Sequence, residues 1–307
     1  MAVFDVSVVM TMYNASRWLD DTLQSILAQT FAGTLELSIY NDGSTDTSME
    51  LITAYIPRLE ARAGYGRTQA VRQSHGHFIC VLDADDVMHP RRIEKQFVEA
   101  SRHPDTEQLY TQAFTAFGPT IIQPTWFCAR EVFELGYNEL YSKLEKGNPE
   151  DLIFFYRHLS LGGKLLRIDE PLLTYRYHKD AVSFGVDRWT IWDLRVAAIQ
   201  KYILSKWEVF TIWNAGKQGR RLFRSLKPEY QAKVVAFCDV DSKKVSQKYY
   251  TYEESLEHPK PKIPIVHFAE AKPPFVLCVK WDFTGGEFEK NLASLKLKEG
   301  EDYIHFS

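Results

Sequence analysis

Short runs of β-branched and apolar residues alternate, in the first part of the chain, with longer stretches whose apolar positions recur every three or four residues. Val6 to Tyr13 is one such run; it ends in Asn14 and reads as a buried strand. Ser16 has the character of a helix N-cap, and Trp18, Leu19, Leu23, Ile26 and Leu27 then fall on one helical face. Leu35 to Tyr40 predicts a second strand closing on Asn41-Asp42-Gly43-Ser44, and Met49, Ile52, Tyr55, Ile56 and Leu59 predict a helix over 45–61. His77 to Leu82 predicts a third strand that closes on Asp83. Strand, helix, strand, helix, strand, with acidic residues at the strand ends, describes an open α/β sheet. Such sheets bind ligands outside the carboxyl ends of their strands.

Further along, the pattern predicts an element over 120–129, a helix from Glu150 to Leu161, a strand from Leu165 to Asp169 and an extended segment from Leu172 to His178. An amphipathic helix over 187–207 closes this unit, placing a boundary near Lys206 and two domains at 1–206 and 207–307. Beyond it a second α/β pattern begins. Val209 to Trp213 leads through a glycine-containing turn into a helix, Val234 to Cys238 ends on Asp239, and 264–268 and 275–279 are further strands.

Composition narrows the class without deciding it. With 307 residues, 45% of them apolar, the chain can fill two ordinary cores, and a net charge of −3 neither demands nor forbids a nucleic-acid partner. The four cysteines are far apart and lie in apolar runs, so buried free thiols are expected rather than a zinc site or disulfides. No run approaches the roughly 20 apolar residues that span a bilayer. The expected setting is therefore a reducing, soluble compartment, the cytoplasm, with no membrane partner.

The candidate chemistry is acidic. Asp83-Ala84-Asp85 brings carboxylates together at a strand end, which is costly unless a cation joins them, and hard divalent cations take oxygen ligands. A solvated acidic turn is the alternative. Asp42 has the position to accept hydrogen bonds from a nucleobase or ribose, or else it belongs to a capping turn; Tyr13 and Asn14 stand where they would flank the same base. Arg67 offers a cation for a diphosphate, or is a surface residue. Glu150 and Asp151 open a helix, where the dipole alone favours acids; the functional reading makes Asp151 a general base. His178 is either a metal or diphosphate ligand or a structural histidine, and Trp126 either stacks on a substrate or packs in the core.

Taken together, Ser7-Val8-Val9, Tyr13-Asn14, Asn41-Asp42-Gly43-Ser44-Thr45-Asp46, Asp83-Ala84-Asp85-Asp86, Glu150-Asp151 and Tyr175-Arg176-Tyr177-His178 resemble family 2 of the GT-A-fold glycosyltransferases over residues 5 to about 205. The resemblance implies an α/β fold, a GT-A-type nucleotide-sugar transferase domain followed by a small Rossmann-like α/β domain. It also implies a UDP-sugar donor whose nucleotide Asp42 holds and a divalent metal, Mn²⁺ or Mg²⁺, on Asp85 with Asp83; Tyr13, Asn14 and Arg67 remain candidate donor contacts and His178 a candidate metal ligand. By that resemblance Asp151 would be the base of an inverting reaction; Trp126 and Glu150 are candidate acceptor residues. Over the whole chain, including Phe210 to Arg221 and Glu301 to Ser307, the likeness extends to a member that acts on tRNA. It implies galactose transfer from UDP-galactose to queuosine in an anticodon. Transfer of N-acetylglucosamine to a soluble galactoside is the alternative, and a shortened, impaired nucleotide-binding form is a third reading.

Some features depart from that pattern. Thr11 and Thr68 stand where the family usually has proline and asparagine, and two strands usual in the family, near 62 and near 106, have no counterpart in the apolar pattern. In the second half, Asn214-Ala215-Gly216-Lys217-Gln218-Gly219 has the spacing of a dinucleotide-binding turn without its first glycine, which favours a Rossmann-like relic without cofactor. Lys217, Arg220, Arg221, Arg224 and Lys227 form either a solvated basic helix face or a contact for an RNA backbone.

Overall fold

The computed structural model describes residues 4–58, 61–64, 67–102, 123–133, 149–163, 166, 168, 170–179, 187–280 and 284–306; over 61–64 and 67–69 it gives the course of the backbone. Among these, the residues up to 179 form one compact unit and those from Asp187 onward a second.

The first unit is built on strands β1 (Phe4–Met12), β2 (Leu35–Asn41), β3 (Ala61–Gly64), β4 (Gly76–Asp83) and, further along the chain, β6 (Phe127–Ala129), in the order β3-β2-β1-β4-β6. The first four run parallel and β6 is antiparallel to β4. Val6 to Met10 are fully buried because both faces of β1 are covered, which is why this strand reads as an unbroken apolar run. On one face Val6, Val8, Met10 and Met12 pack with Leu19, Leu23 and Ile26 of helix α1 (Ser16–Leu27) and Ile52 and Tyr55 of α2 (Ser48–Tyr55). On the other, Val9 packs with Ile79, Val81, Phe133, Ala70 and Val71, the last two on α3 (Arg67–Gln73), and with Phe154 of a later helix. A short antiparallel pair joins β5 (Val87–Met88), just after β4, to β7 (Leu173–Thr174), far along the chain.

The region near 62 corrects the sequence expectation. The helix expected over 45–61 stops early: α2 gives way to a 3₁₀ turn at Ile56–Arg58, where Pro57 has no N–H to continue the ladder. Ala61–Gly64 then pairs in parallel with β2, from Leu37↔Ala61 to Tyr40↔Gly64, so the strand thought missing is present. Alanine and glycine carry no β signal of their own; pairing with an existing strand decides their conformation. The region near 106, where the other usual strand was expected to be missing, lies outside the described residues, as do 120–122 and much of Leu165 to Asp169.

The second unit begins ahead of the helix that the pattern placed at the end of the first. Helix α6 (Arg188–Ile199) continues as a π turn through Leu204, and its Trp192 meets Phe306 edge-on at 5.1 Å and donates its indole N–H to Ser225. (Helices α4, Arg92–Arg102, and α5, Glu150–Ser160, precede it in the first unit.) The sheet has β8 (Phe210–Trp213), β9 (Val234–Asp239), β10 (Tyr249–Thr251), β11 (Lys262–His267), β12 (Phe275–Leu277) and β13 (Tyr303–His305) in the order β10-β11-β9-β8-β12-β13, with only β10 antiparallel. This is the Rossmann-like arrangement expected. After β8, Asn214 turns the chain at φ 130° into helix α7 (Lys217–Ser225), and a Cβ at Gly219 would stand 1.9 Å from the Asn214 carbonyl oxygen. All four cysteines are free; Cys80, Cys238 and Cys278 are buried as expected and Cys128 is half-buried. No described helix is long and apolar enough to cross a membrane.

At the amino-terminal edge of the first sheet a buried carboxylate joins three segments. Glu36 accepts from the Ser7 hydroxyl at 2.6 Å and the His75 amide at 2.6 Å, and lies 3.0 Å from His75 Nδ1. Burial pushes the Glu36 carboxyl upward, but the hydrogen bonds from His75 and Ser7 outweigh it and hold it below the ordinary 4.5. Its stabilisation is therefore complete above that ordinary value and is lost as the pH falls through the lower folded-state value. Glu36→Gln is expected to lower unfolding free energy by about 1.5–3 kcal/mol near neutral pH. Denaturant unfolding of both proteins checks this, and the difference should shrink in acid.

Candidate active site

Parallel pairing places three strand ends side by side. Met12 is level with Asn41 and Thr11 with Asp83, so the loops after β1, β2 and β4 leave the same edge of the sheet. Because β2 and β4 lie on opposite sides of β1, this edge is the switch point at which open α/β sheets hold ligands.

The first two loops are bonded to each other. Asn14 sits in the left-handed region at φ 47°; its amide donates to Ser44 Oγ at 3.0 Å and its Oδ1 accepts the Thr45 amide at 2.8 Å. The Asp42 amide donates to the Met12 carbonyl at 2.8 Å, and Gly43 makes the exit at φ 80°. Asp42 is exposed and accepts from the Tyr40 hydroxyl at 3.1 Å, while Tyr13 stands 63% exposed beside it in the loop after β1. Ser16, expected as the N-cap of α1, is instead its first residue. The caps come from across the gap: Ser48 Oγ takes the Ala15 amide and Asp46 takes the Ser16 amide, both at 3.0 Å. Burial acts to raise the Asp46 pKa, but the hydroxyls and amides of Ser48 and Ser16 prevail and bring it to about 2.

The third loop carries the acids. Asp83, Asp85 and Asp86 offer carboxylate oxygens that all lie within 4.8 Å of one another. Asp86 is fully buried; its Oδ1 accepts the Arg176 amide at 2.8 Å, and among the described residues its buried Oδ2 has no hydrogen-bond partner. Burial first, and then the charges of Asp83 and Asp85, push its pKa up to about 7 against the pull of the Arg176 amide and of Arg92. An orphaned buried oxygen within a group of three carboxylates fits a hard divalent cation, which would satisfy the oxygen and relieve the repulsion. His178 joins the group at Asp85, with Nε2 2.7 Å from Oδ2, and its ring stacks on Trp18.

The other expected residues fall as follows. Glu150 and Asp151 occupy the first turn of α5, both partly buried, with the Leu152 amide donating to Asp151 Oδ1 at 2.7 Å. Trp126 stacks on Phe154 of the same helix at 5.1 Å and is partly buried against the Val9–Val81 cluster. Arg67 opens α3, and its side chain lies outside the described residues. Lys217, Arg220, Arg221, Arg224 and Lys227 lie on or just after α7, in the second unit. Sequence reasoning missed Asp86, Asp46 and Trp18 as members of the site. The closely spaced acids at 83, 85 and 86 were a signal for the first; nothing in the pattern distinguished Trp18 from the apolar face of α1.

In the second unit the turn after β8 is filled from within. Asp239 Oδ2 accepts the Ala215 amide and the Lys244 ammonium, each at 2.9 Å, and Asn214 Oδ1 accepts the Gly216 amide at 2.7 Å.

Comparison with known proteins agrees with this geometry. The family model described as glycosyl transferase family 2 matches residues 7–150, which contain all three loops. EpsE of Bacillus subtilis (strain 168), a glycosyltransferase by name, is 30% identical over 207 residues, covering 57% of this chain and 74% of its own. An uncharacterized glycosyltransferase of Methanocaldococcus jannaschii is 30% identical over 120 residues, and there the match spans 36% of this chain and 41% of the relative. Among solved structures, that of S. aureus TarS 1-349 in complex with UDP-GlcNAc superposes with a TM-score of 0.51 at 15% identity, over 73% of this chain and 71% of that one. The chain belongs to glycosyl transferase family 2, and its first unit has the GT-A-type fold. It is thus a glycosyltransferase by family.

The Asp46 bridge has a measurable signature. The stabilisation by this carboxylate is complete above its ordinary 3.8 and is lost as the pH falls through its folded value of about 2. Wild-type thermal midpoints are expected to fall over that window more steeply than those of Asp46→Asn, and calorimetric scans at stepped pH measure both slopes.

Proposed function

We propose that this chain is an inverting, metal-dependent hexosyltransferase that moves galactose from UDP-galactose onto queuosine in a tRNA anticodon. The observation that carries the transferase part is the convergence of Asp42, Asp83, Asp85 and Asp86 at one sheet edge. In this reading Asp42, with Tyr13 and Asn14, receives the uridine, and Arg67 faces the diphosphate. Asp83, Asp85 and Asp86 would hold Mn²⁺ or Mg²⁺, with His178 completing that set, and the ion when bound would supply countercharge to the diphosphate. An acceptor hydroxyl oxygen attacks the anomeric carbon opposite the leaving group. The bond from that carbon to the diphosphate oxygen breaks, and Asp151 takes the hydroxyl proton. Glu150 and Trp126 stand on the acceptor side. The UDP-GlcNAc complex of TarS supports a uridine-diphosphate sugar as the donor class.

The galactose and queuosine parts rest on the resemblance over the whole chain. Support for an RNA partner comes from α7, where Arg221 lies 3.7 Å over the Trp189 ring and Arg220 lies 4.9 Å over Tyr250. Burial, then the neighbouring charges of Arg188 and Arg224, lower the Arg221 pKa, so like charges are gathered there in a way that a polyanion would relieve. A tRNA acceptor is in keeping with a cytoplasmic setting. Transfer of N-acetylglucosamine to a soluble galactoside is the competing assignment for the same site.

Mass spectrometry of tRNA incubated with UDP-galactose or UDP-N-acetylglucosamine decides between them. A hexose on queuosine is expected with the first, whereas modification of queuosine-free tRNA to the same extent overturns the acceptor. Asp151→Asn is expected to lose roughly 10²–10⁴-fold in turnover while still binding UDP with Mn²⁺. Arg221→Glu with Arg224→Glu is expected to weaken tRNA binding and flatten its salt dependence, as read by filter binding at several salt concentrations.

A further inference from the structure

The indole of Trp18 lies in polar company. It projects from the first turn of α1, half-buried, whereas Leu19, Leu23 and Ile26 carry that helix into the core. Its ring is stacked on the His178 imidazole with centroids 5.4 Å apart and planes at 28°. Two guanidiniums also lie over it, Arg17 at 4.3 Å and Arg176 at 5.3 Å. Its carbonyl accepts from Arg176 Nη1 at 3.4 Å, and Arg176 Nη2 reaches Asp21, one turn along α1, at 2.5 Å.

His178 needs such a holder. A histidine that serves a metal site ordinarily fixes its ring by a hydrogen bond from the nitrogen turned away from the site. Here Nε2 meets Asp85 Oδ2 on the side of the site, and among the described residues the buried Nδ1 has no hydrogen-bond partner, so no hydrogen bond holds the outer edge of the ring. Besides the Asp85 contact, the ring is held by the stack on Trp18 and the course of the backbone. That course is pinned twice just upstream: Thr174 pairs with Val87, and the Arg176 amide donates to Asp86 Oδ1 at 2.8 Å.

We propose that Trp18 is a positioning residue which, with Arg176 pinned to Asp86, seats His178 against Asp85 and so fixes the geometry of the three-carboxylate group. An aromatic face surrounded by cationic and imidazole groups is the arrangement that quadrupole attraction favours, and it orients a ring without a hydrogen bond. The contacts run as a closed circuit: Asp85 to His178, His178 to Trp18, Trp18 to Arg176, Arg176 to Asp86, and Asp86 back to Asp85 within the carboxylate group. The circuit ties α1, the loop after β4 and the segment after β7 into one body. Loosening any link moves the imidazole off Asp85 and frees that carboxylate to turn.

This inference rests on the metal-dependent reading, and one set of titrations tests the two separately. Mn²⁺ binding in the presence of UDP is measured by calorimetry on the full chain, with thermal unfolding recorded alongside. Trp18→Ala is expected to weaken Mn²⁺ binding about tenfold or more, with Trp18→Phe recovering most of it because a ring is restored. In steady state Trp18→Ala should lower kcat and leave KM for the acceptor unchanged, a split that general loosening of the fold would not give. Wild-type Mn²⁺ affinity in a folded Trp18→Ala protein overturns the proposal. Should that variant unfold, Asp21→Asn releases Arg176 at an exposed ion pair; about two- to fivefold weaker Mn²⁺ binding supports the circuit, and unchanged binding overturns it. Failure of the wild-type chain to bind Mn²⁺ overturns the metal reading itself, and this inference with it.

Discussion

The site depends on the parallel pairing of β1 with β2 on one side and β4 on the other. Parallel strands carry their carboxyl ends to a common edge, so residues about thirty and seventy positions apart in sequence meet there. Burial drives the pairing. With both faces of β1 covered, a slip of one residue would move Val6, Val8 and Met10 from one core cluster into the other, where the facing side chains differ in size and shape. Register and therefore the site follow from core packing, far from the acids themselves.

At the edge so defined, polar side chains do the work that helix caps would do locally elsewhere. Ser44, Ser48 and Asp46 from the second loop bond the backbone of the first, and Asn14 returns a bond to Thr45. The two loops are thus one rigid platform beside Asp42. The third loop carries the opposite character. Among the described residues Asp86 accepts a hydrogen bond from the Arg176 amide against the repulsion of its neighbours, and its other oxygen has no partner. A pair of loops bonded to each other thus stands next to an acidic group whose mutual repulsion its own hydrogen bonds do not relieve.

The second unit repeats the parallel-sheet logic with a different outcome. The turn after β8 has the spacing of a dinucleotide site, yet Asp239 spends its carboxylate on Ala215 and Lys244, and Gly219 is required because the Asn214 carbonyl approaches it. Its outward feature is the arginine-rich face of α7, whose guanidiniums rest on aromatic rings and so keep their positions at modest entropic cost.

Much of this was legible in the residues alone. The continuous apolar runs gave β1 and β4, the helical periodicity gave α1 and α5, and acids at strand ends marked where a ligand would sit, because burial and charge leave strong local signatures. Three things were left to tertiary structure. Ala61–Gly64 became a strand only because β2 had an open edge, since alanine and glycine have no strand preference to read. Ser16 lost its expected capping role to Asp46 and Ser48, because a cap is assigned by whichever oxygen reaches the amide, and here that oxygen comes from another loop. Trp18, which shares the apolar pattern of α1, turned out to face His178 and Arg176, a distinction that no spacing along the helix encodes. The sequence by itself determined the family and the acids; their company was decided only when β1 paired on both sides, because contacts between distant segments depend on register and packing rather than on local preference.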